Sequence, residues 1–152
     1  MHKDTGFTLI ELMVVMGIVG ILSAIAIPSY FQWLPGHRVG SAARTVMSTL
    51  EFARINAIKR NRVVRVDFDW ANDRLTVVEV IDPIPPVENT LRTRRMPADV
   101  DLQLDTLPAS VTFNGHGFSN EAGKVTVVNT KNATISRSIN LTLGGNASIQ
   151  YQ

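Results

Sequence analysis

The chain has 152 residues, 45% of them apolar and 18% charged, with 10 Gly and 7 Pro, a composition that excludes a mostly disordered or collagen-like chain and suits one ordinary domain. Without cysteine it has no disulfide, no thiolate metal site and no cysteine nucleophile. The formal net charge is only +2 but is spread unevenly, +6 over residues 38–66 and −5 over 67–105, so electrostatic arguments about partners have to be local.

The apolar residues are concentrated at the start. From Phe7 to Ile27, 21 residues, only Thr8, Glu11 and Ser23 are polar. As a helix this run is about 31 Å long, close to the ~30 Å hydrocarbon thickness of a bilayer, so it predicts a single spanning helix. Lys3 is the one firm cation before it and biases this end toward the cytoplasm, placing the remainder on the far side. An ordinary cleavable secretory signal is the competing reading, since Ala24-Ile25-Ala26 supplies a small-x-small site. Glu11 argues against it, because a carboxylate inside the bilayer is costly and needs a partner. Pro28 removes one helical hydrogen bond and is expected to kink or loosen the chain where it leaves the membrane, a simple helix end being the alternative. Gly17, Gly20 and Ala24 permit close approach of neighbouring helices.

Gly6-Phe7-Thr8-Leu9-Ile10-Glu11-Leu12, followed by the apolar run and Pro28, resembles the class III leader of type IV pilins and pseudopilins. The resemblance implies cleavage between Gly6 and Phe7 by a prepilin peptidase and methylation of the new N-terminus at Phe7. It also gives Glu11 the role of pairing with the N-terminal amine of a neighbouring subunit in a filament. Cleavage before the apolar run would keep the helix as an anchor and create a cation near Glu11; a desolvated pair of this kind favours register more than raw stability.

From Ser41 to Arg60, apolar residues at Ala43, Val46, Met47, Leu50, Ala53, Ala57 and Ile58 mark one face of an amphipathic helix, with Arg44, Glu51, Arg54, Lys59 and Arg60 largely off it. Pro35 and Gly36 allow a break before this helix, with continuity through a bend as the alternative. Beyond Asn61 the period changes to two. Val64 to Phe68, Leu75 to Ile81, Val100 to Leu104, Val111 to Phe113, Val125 to Val127, Ile139 to Leu143 and Ala147 to Tyr151 read as short antiparallel strands. They are separated by turns such as Ala71-Asn72-Asp73, Asn114-Gly115 and Gly144-Gly145. Asp82 to Asn89, with Pro83, Pro85 and Pro86, reads as a loop that cannot be a central strand.

This order predicts an α+β, pilin-like fold: a long membrane-spanning helix continuing into an amphipathic helix packed on an antiparallel β domain. The expected divisions are 1–6 leader, 7–29 transmembrane and filament-core helix, 30–62 amphipathic helix and 63–152 β domain. Within the superfamily the chain most resembles the GspH/FimT group, the H-type minor pseudopilins of type II secretion and the FimT-like minor pilins. The residues that carry this are Ala53 to Asn61 leading into Val63-Val64, Val111 to Gly117, and Arg137 to Leu141. The resemblance implies a non-enzymatic subunit without a cofactor. Its partners would be the prepilin peptidase, the bacterial inner membrane and other pilins or pseudopilins, with the C-terminal domain periplasmic before assembly into a secretion pseudopilus or a cell-surface pilus.

Other chemistry is sparse. His2, His37 and His116 are isolated, Asp67, Asp69 and Asp73 lack the glycine and distal glutamate of a calcium loop, and no metal site is expected. Arg54, Lys59, Arg60, Arg62 and Arg65 form a basic cluster able to contact phosphates, and DNA uptake is a role that FimT-like minor pilins suggest. Cations also suit a helix C-terminus, and the acidic 67–105 segment can screen them. The arginine-rich C-terminal feature of DNA-binding FimT proteins is absent, with Gly144 to Ile149 in its place. Nucleic-acid binding is therefore the second reading, and a secreted domain with an ordinary signal the third.

Overall fold

The computed structural model describes residues 7–83 and 86–150. It contains one α-helix, α1 (Leu9–Arg60), and eight strands: β1 (Val63–Asp69), β2 (Arg74–Pro83), β3 (Pro86–Arg95), β4 (Val100–Leu104), β5 (Ser110–Phe113), β6 (Gly123–Asn129), β7 (Ser136–Leu141) and β8 (Ala147–Gln150). The chain divides into two compact units, one ending at Leu34 and the other beginning at Pro35.

Both ends of α1 carry capping structures. Thr8 stands at the N-cap position, ahead of Leu9. At the other end Asn61 takes a left-handed φ of 48°. Its N–H donates to the Ile58 carbonyl (3.2 Å), and the Arg62 N–H donates to that of Ala57 (3.1 Å). This pair of bonds is a Schellman cap, with asparagine in the position glycine more often takes. Pro28, Pro35 and Gly36 all lie inside α1, so the break allowed at Pro35-Gly36 does not occur.

In the first unit α1 is apolar and outward-facing. Of the described residues only one helix is long and apolar enough to cross a membrane, and none of its most apolar window is buried within the protein.

In the second unit the helix becomes amphipathic. Val39, Ala42, Ala43, Val46, Leu50, Ala53 and Ala57 are buried, a stripe at spacings of three and four. Met47 and Ile58, expected on this face, are half-buried and exposed respectively. Ile58 lies about 100° around the helix from Ala57, which takes it off the stripe.

The strands form two four-stranded antiparallel sheets, in the orders β3-β2-β1-β5 and β4-β6-β7-β8. Val64, Val66 and Phe68 of β1, Leu75 and Val77 of β2, and Val111 and Phe113 of β5 meet the helix stripe in one core. Val100 and Leu102 of β4, Val125 and Val127 of β6, and Ile139 and Leu141 of β7 join the same core from the second sheet. Strand alternation thus places one apolar face of each sheet in a shared interior. Arg38 of α1, in the second unit, forms an ion pair with Asp99 just before β4.

The expected loop from Asp82 to Asn89 is corrected: β2 runs to Pro83, and Pro86 pairs with it to begin β3. Residues 84 and 85 lie outside the described residues. Pro86 is accommodated because β3 is an edge strand, and Pro83 stands at the very end of β2, in the last pair of the ladder. Val77/Val78 and Val80/Asp82 mark two irregularities of its register with β2. The expected Ile139–Leu143 segment is shifted: β7 starts earlier, at Ser136, and ends at Leu141. Leu143 lies beyond β7, in the turn before β8, and Tyr151 is outside the described residues.

Candidate functional site

The first functional candidate is the start of α1. Gly6 lies outside the described residues; Phe7 is exposed. Thr8 and Glu11 form reciprocal hydrogen bonds: the Thr8 N–H and Oγ1 donate to Glu11 Oε2 (3.0 and 2.9 Å), and the Glu11 N–H donates to Thr8 Oγ1 (3.3 Å). This is a capping box, with Thr8 at N-cap and Glu11 at the third helical position. Sequence reasoning assigned Glu11 only a charge-pairing role and missed this local one, although Thr-x-x-Glu is its signature. A shallow apolar groove beside it is lined by Phe7, Ile10, Glu11, Val14 and Val15.

The basic cluster at the other end of α1 is largely engaged within the protein. Arg60 Nη1 lies 2.5 Å from Glu79 Oε2, and Arg62 Nε 3.9 Å from Glu79 Oε1. Glu79 is buried, so these cations compensate a carboxylate removed from water. Arg65 bridges two acids, donating from Nε to Asp67 (2.7 Å) and from Nη1 to Glu88 (2.8 Å). Its hydrogen bond holds the Glu88 carboxyl below the usual carboxylate range. The guanidinium of Arg65 is correspondingly harder to deprotonate, chiefly through Glu88 and then Asp67. Lys59 is exposed, and among the described residues it has no ion pair.

Arg54 joins the helix to both sheets. Its Nε donates to the Gly117 carbonyl (3.1 Å), in the loop after β5, and its Nη1 to Asn146 Oδ1 (2.5 Å), in the turn before β8. The backbone crowds here. Gly145 has φ of +76°, and a Cβ on it would sit 2.1 Å from the Gly117 carbonyl oxygen. A glycine is required there by both conformation and space. Close by, a Cβ on Gly115 would lie 2.4 Å from Asn61 Oδ1. Arg54 is thus a cross-link between three chain segments.

The remaining polar candidates are also structural in their contacts. Asp69 accepts from the Asn72 amide and side chain, and Asp73 Oδ1 accepts from the Leu102 N–H (3.0 Å). Burial raises the Asp101 carboxyl above its ordinary value, with Asp73 adding to the effect. No three His, Cys, Asp or Glu side chains among the described residues come together as a group that could hold a metal ion. His2 lies outside the described residues.

An exposed apolar N-terminal helix, capped at its start and followed by a half-buried continuation on two antiparallel sheets, defines a pilin-like protein. Residues 1–27 match the family model of the prokaryotic N-terminal methylation motif, and residues 42–145 match that of type II transport protein GspH. The chain belongs to the GspH family.

Its similarities to individual proteins fall into two kinds. Prepilin peptidase-dependent protein D of Escherichia coli (strain K12) is 68% identical over 34 residues, 22% of this chain and 23% of that protein. A fimbrial protein of Pseudomonas aeruginosa is 44% identical over 64 residues, 42% of this chain and 41% of its own. The match therefore spans well under half the length of these curated relatives. In three dimensions the type IV minor pilin FimU of Pseudomonas aeruginosa has a TM-score of 0.63 at 17% identity, over 76% of this chain and 90% of that one. The minor pseudopilin EpsH of the Vibrio cholerae type 2 secretion system has a TM-score of 0.62 at 11% identity, over 74% and 96%. Both share the fold of this chain.

Proposed function

We propose that this chain is a minor pilin or pseudopilin subunit, cleaved by a prepilin peptidase between Gly6 and Phe7, methylated at Phe7, and assembled into a type II secretion pseudopilus or a type IV pilus. One observation carries the reading: a methylation motif over residues 1–27 and a GspH match over 42–145 lie on one chain, joined by an outward-facing apolar helix. Before assembly, the segment from 7 to 29 anchors the protein in the inner membrane, with the β domain periplasmic. Residues 30–62 carry the helix into that domain, and Pro28 loosens the helix near the membrane exit.

Glu11 then has two tasks. Both hydrogen bonds from Thr8 fall on Oε2, which closes the helix start. Oε1 receives the Phe7 amine of a neighbouring subunit as helices pack together. The pairing selects register, because either charge left alone in an apolar filament core is unfavourable. Mass spectrometry of the membrane-extracted protein, made with and without a prepilin peptidase, tests the processing step; incorporation into filaments alongside the major subunit tests assembly.

The nucleic-acid reading has weaker support. Arg60, Arg62 and Arg65 face carboxylates, and Arg54 is committed to Gly117 and Asn146.

A further inference from the structure

Immediately after the apolar run, α1 carries Tyr30, Phe31 and Trp33, all strongly exposed at 56%, 64% and 59%. Tyr30 and Phe31 meet edge-on, their ring centres 6.1 Å apart at 73°. We propose that these three rings form an interfacial collar that seats the subunit in the headgroup layer of the membrane on the side of its β domain. This rests on the reading of α1 as a membrane anchor and specifies its depth.

Three observations favour lipid headgroups as the occupant. The first is length: Tyr30 is 23 residues beyond Phe7. At about 1.5 Å per residue Tyr30 is about 35 Å and Trp33 about 39 Å along the helix axis from Phe7, or about 32 and 37 Å across the bilayer at the ~20° mean tilt of spanning helices. With Phe7 at one edge of the ~30 Å hydrocarbon layer, these depths fall within the ~5–7.5 Å headgroup region beyond the other edge. The second is distribution. At about 100° per residue the three rings cover an arc of about 160°, close to half the helix circumference, so they are spread around the axis rather than stacked along one narrow seam. The third is chemistry. Tyr and Trp pair an apolar ring with a polar O–H or N–H, the combination that concentrates at the membrane–water boundary. The sequence changes character at once, with Gln32 among the rings and Pro35, where the second unit begins, two residues past Trp33.

The chain has two tryptophans, so Trp33 can be observed by fluorescence. The full chain is reconstituted into phosphatidylethanolamine–phosphatidylglycerol vesicles carrying a quenching label either near the headgroup or at mid-acyl depth. Trp33 is read in Trp70→Phe and, because Trp70 stacks on Phe68 in the folded domain, independently as the difference between wild type and Trp33→Phe. The expected result is blue-shifted Trp33 emission, quenched several-fold more by the headgroup label than by the mid-acyl one. Water-like emission insensitive to both labels would overturn the collar, as would stronger quenching at mid-acyl depth. Blue-shifted emission that ignores both labels and reverts on dilution with empty vesicles would assign the rings to a second copy and also overturn it. Vesicle flotation separates the two levels. A chain that floats without headgroup quenching disproves the collar alone; one that does not float disproves the anchor beneath it.

Discussion

Thr8 and Glu11 satisfy one another across the first turn of α1: the threonine donates to the carboxylate from its backbone and its hydroxyl, and the hydroxyl accepts from the glutamate N–H. A residue whose position in an apolar run implies a charged partner is therefore also a hydrogen-bond acceptor for its own helix start. The two roles separate by substitution. An amide keeps the acceptor and removes the charge; alanine removes both.

Glu11→Gln is accordingly expected to retain normal membrane abundance and helix content while its incorporation into filaments falls by about tenfold or more, the range in which a lost desolvated ion pair acts. Glu11→Ala is expected to lose incorporation equally and also to fray the first turn. Quantitative co-purification with filaments, normalised to membrane level, makes the comparison. Normal incorporation of Glu11→Gln would leave capping as the residue's whole contribution.

Arg60→Ala is expected to act on stability rather than on nucleic acid. It leaves buried Glu79 with Arg62 alone, 3.9 Å away, and the cost is about 1–3 kcal/mol, moderated by the exposure of Arg60 itself. Adding Glu79→Gln should recover part of the loss. DNA titration of the full chain should show weak binding that fades at physiological salt, with little further change in Arg60→Ala/Arg62→Ala. Salt-resistant binding that collapses in the double variant would make the cluster a nucleic-acid site.

Gly145→Ala is expected to destabilise the β domain by about 1–3 kcal/mol, since a Cβ would meet the Gly117 carbonyl and force a side chain into left-handed backbone. The adjacent Gly144→Ala is the control. Its Cβ would find only Thr142 Oγ1, at 3.7 Å, and little change is expected. Thermal unfolding of both variants in detergent checks the contrast.

The Arg65–Glu88 pair gives a pH dependence of defined sign. The hydrogen bond from Arg65 lowers the Glu88 pKa from its ordinary 4.5, so the pair stabilises the folded state above that value and its contribution is lost as pH falls through the lowered one. Both side chains are partly solvated, which keeps the effect small. Glu88→Gln should lower Tm by about 1–2 °C at neutral pH, and the difference from wild type should close at acid pH.

Features that burial imposes as a period were legible in the sequence. Ala43, Val46, Leu50, Ala53 and Ala57 follow the helical spacing, Val64, Val66 and Phe68 the strand spacing, and the change between them falls where Asn61 ends α1. β3 was not legible because an edge strand buries little: Leu91 is the only apolar residue of its Glu88-Asn89-Thr90-Leu91-Arg92 stretch, and the neighbouring Arg92 covers the Phe52 ring with a guanidinium, 3.7 Å from its centre. The Arg54 cross-link was hidden for another reason. Gly117 and Asn146 are 63 and 92 residues away, and one of the acceptors is a backbone carbonyl that leaves no side-chain signature. At the candidate site the motif drew attention to the charge of Glu11, while the threonine three residues before it passed as an ordinary polar residue.

Cleavage between Gly6 and Phe7 distinguishes a pilin subunit from a secreted domain. Intact-mass and N-terminal fragment analysis of the protein extracted from membranes containing a prepilin peptidase is its most direct test. The predicted result is a chain beginning at Phe7 and carrying one methyl group on its amine, with the apolar helix retained. A chain beginning after Ala26, with the helix removed, would contradict it and make the protein a secreted domain.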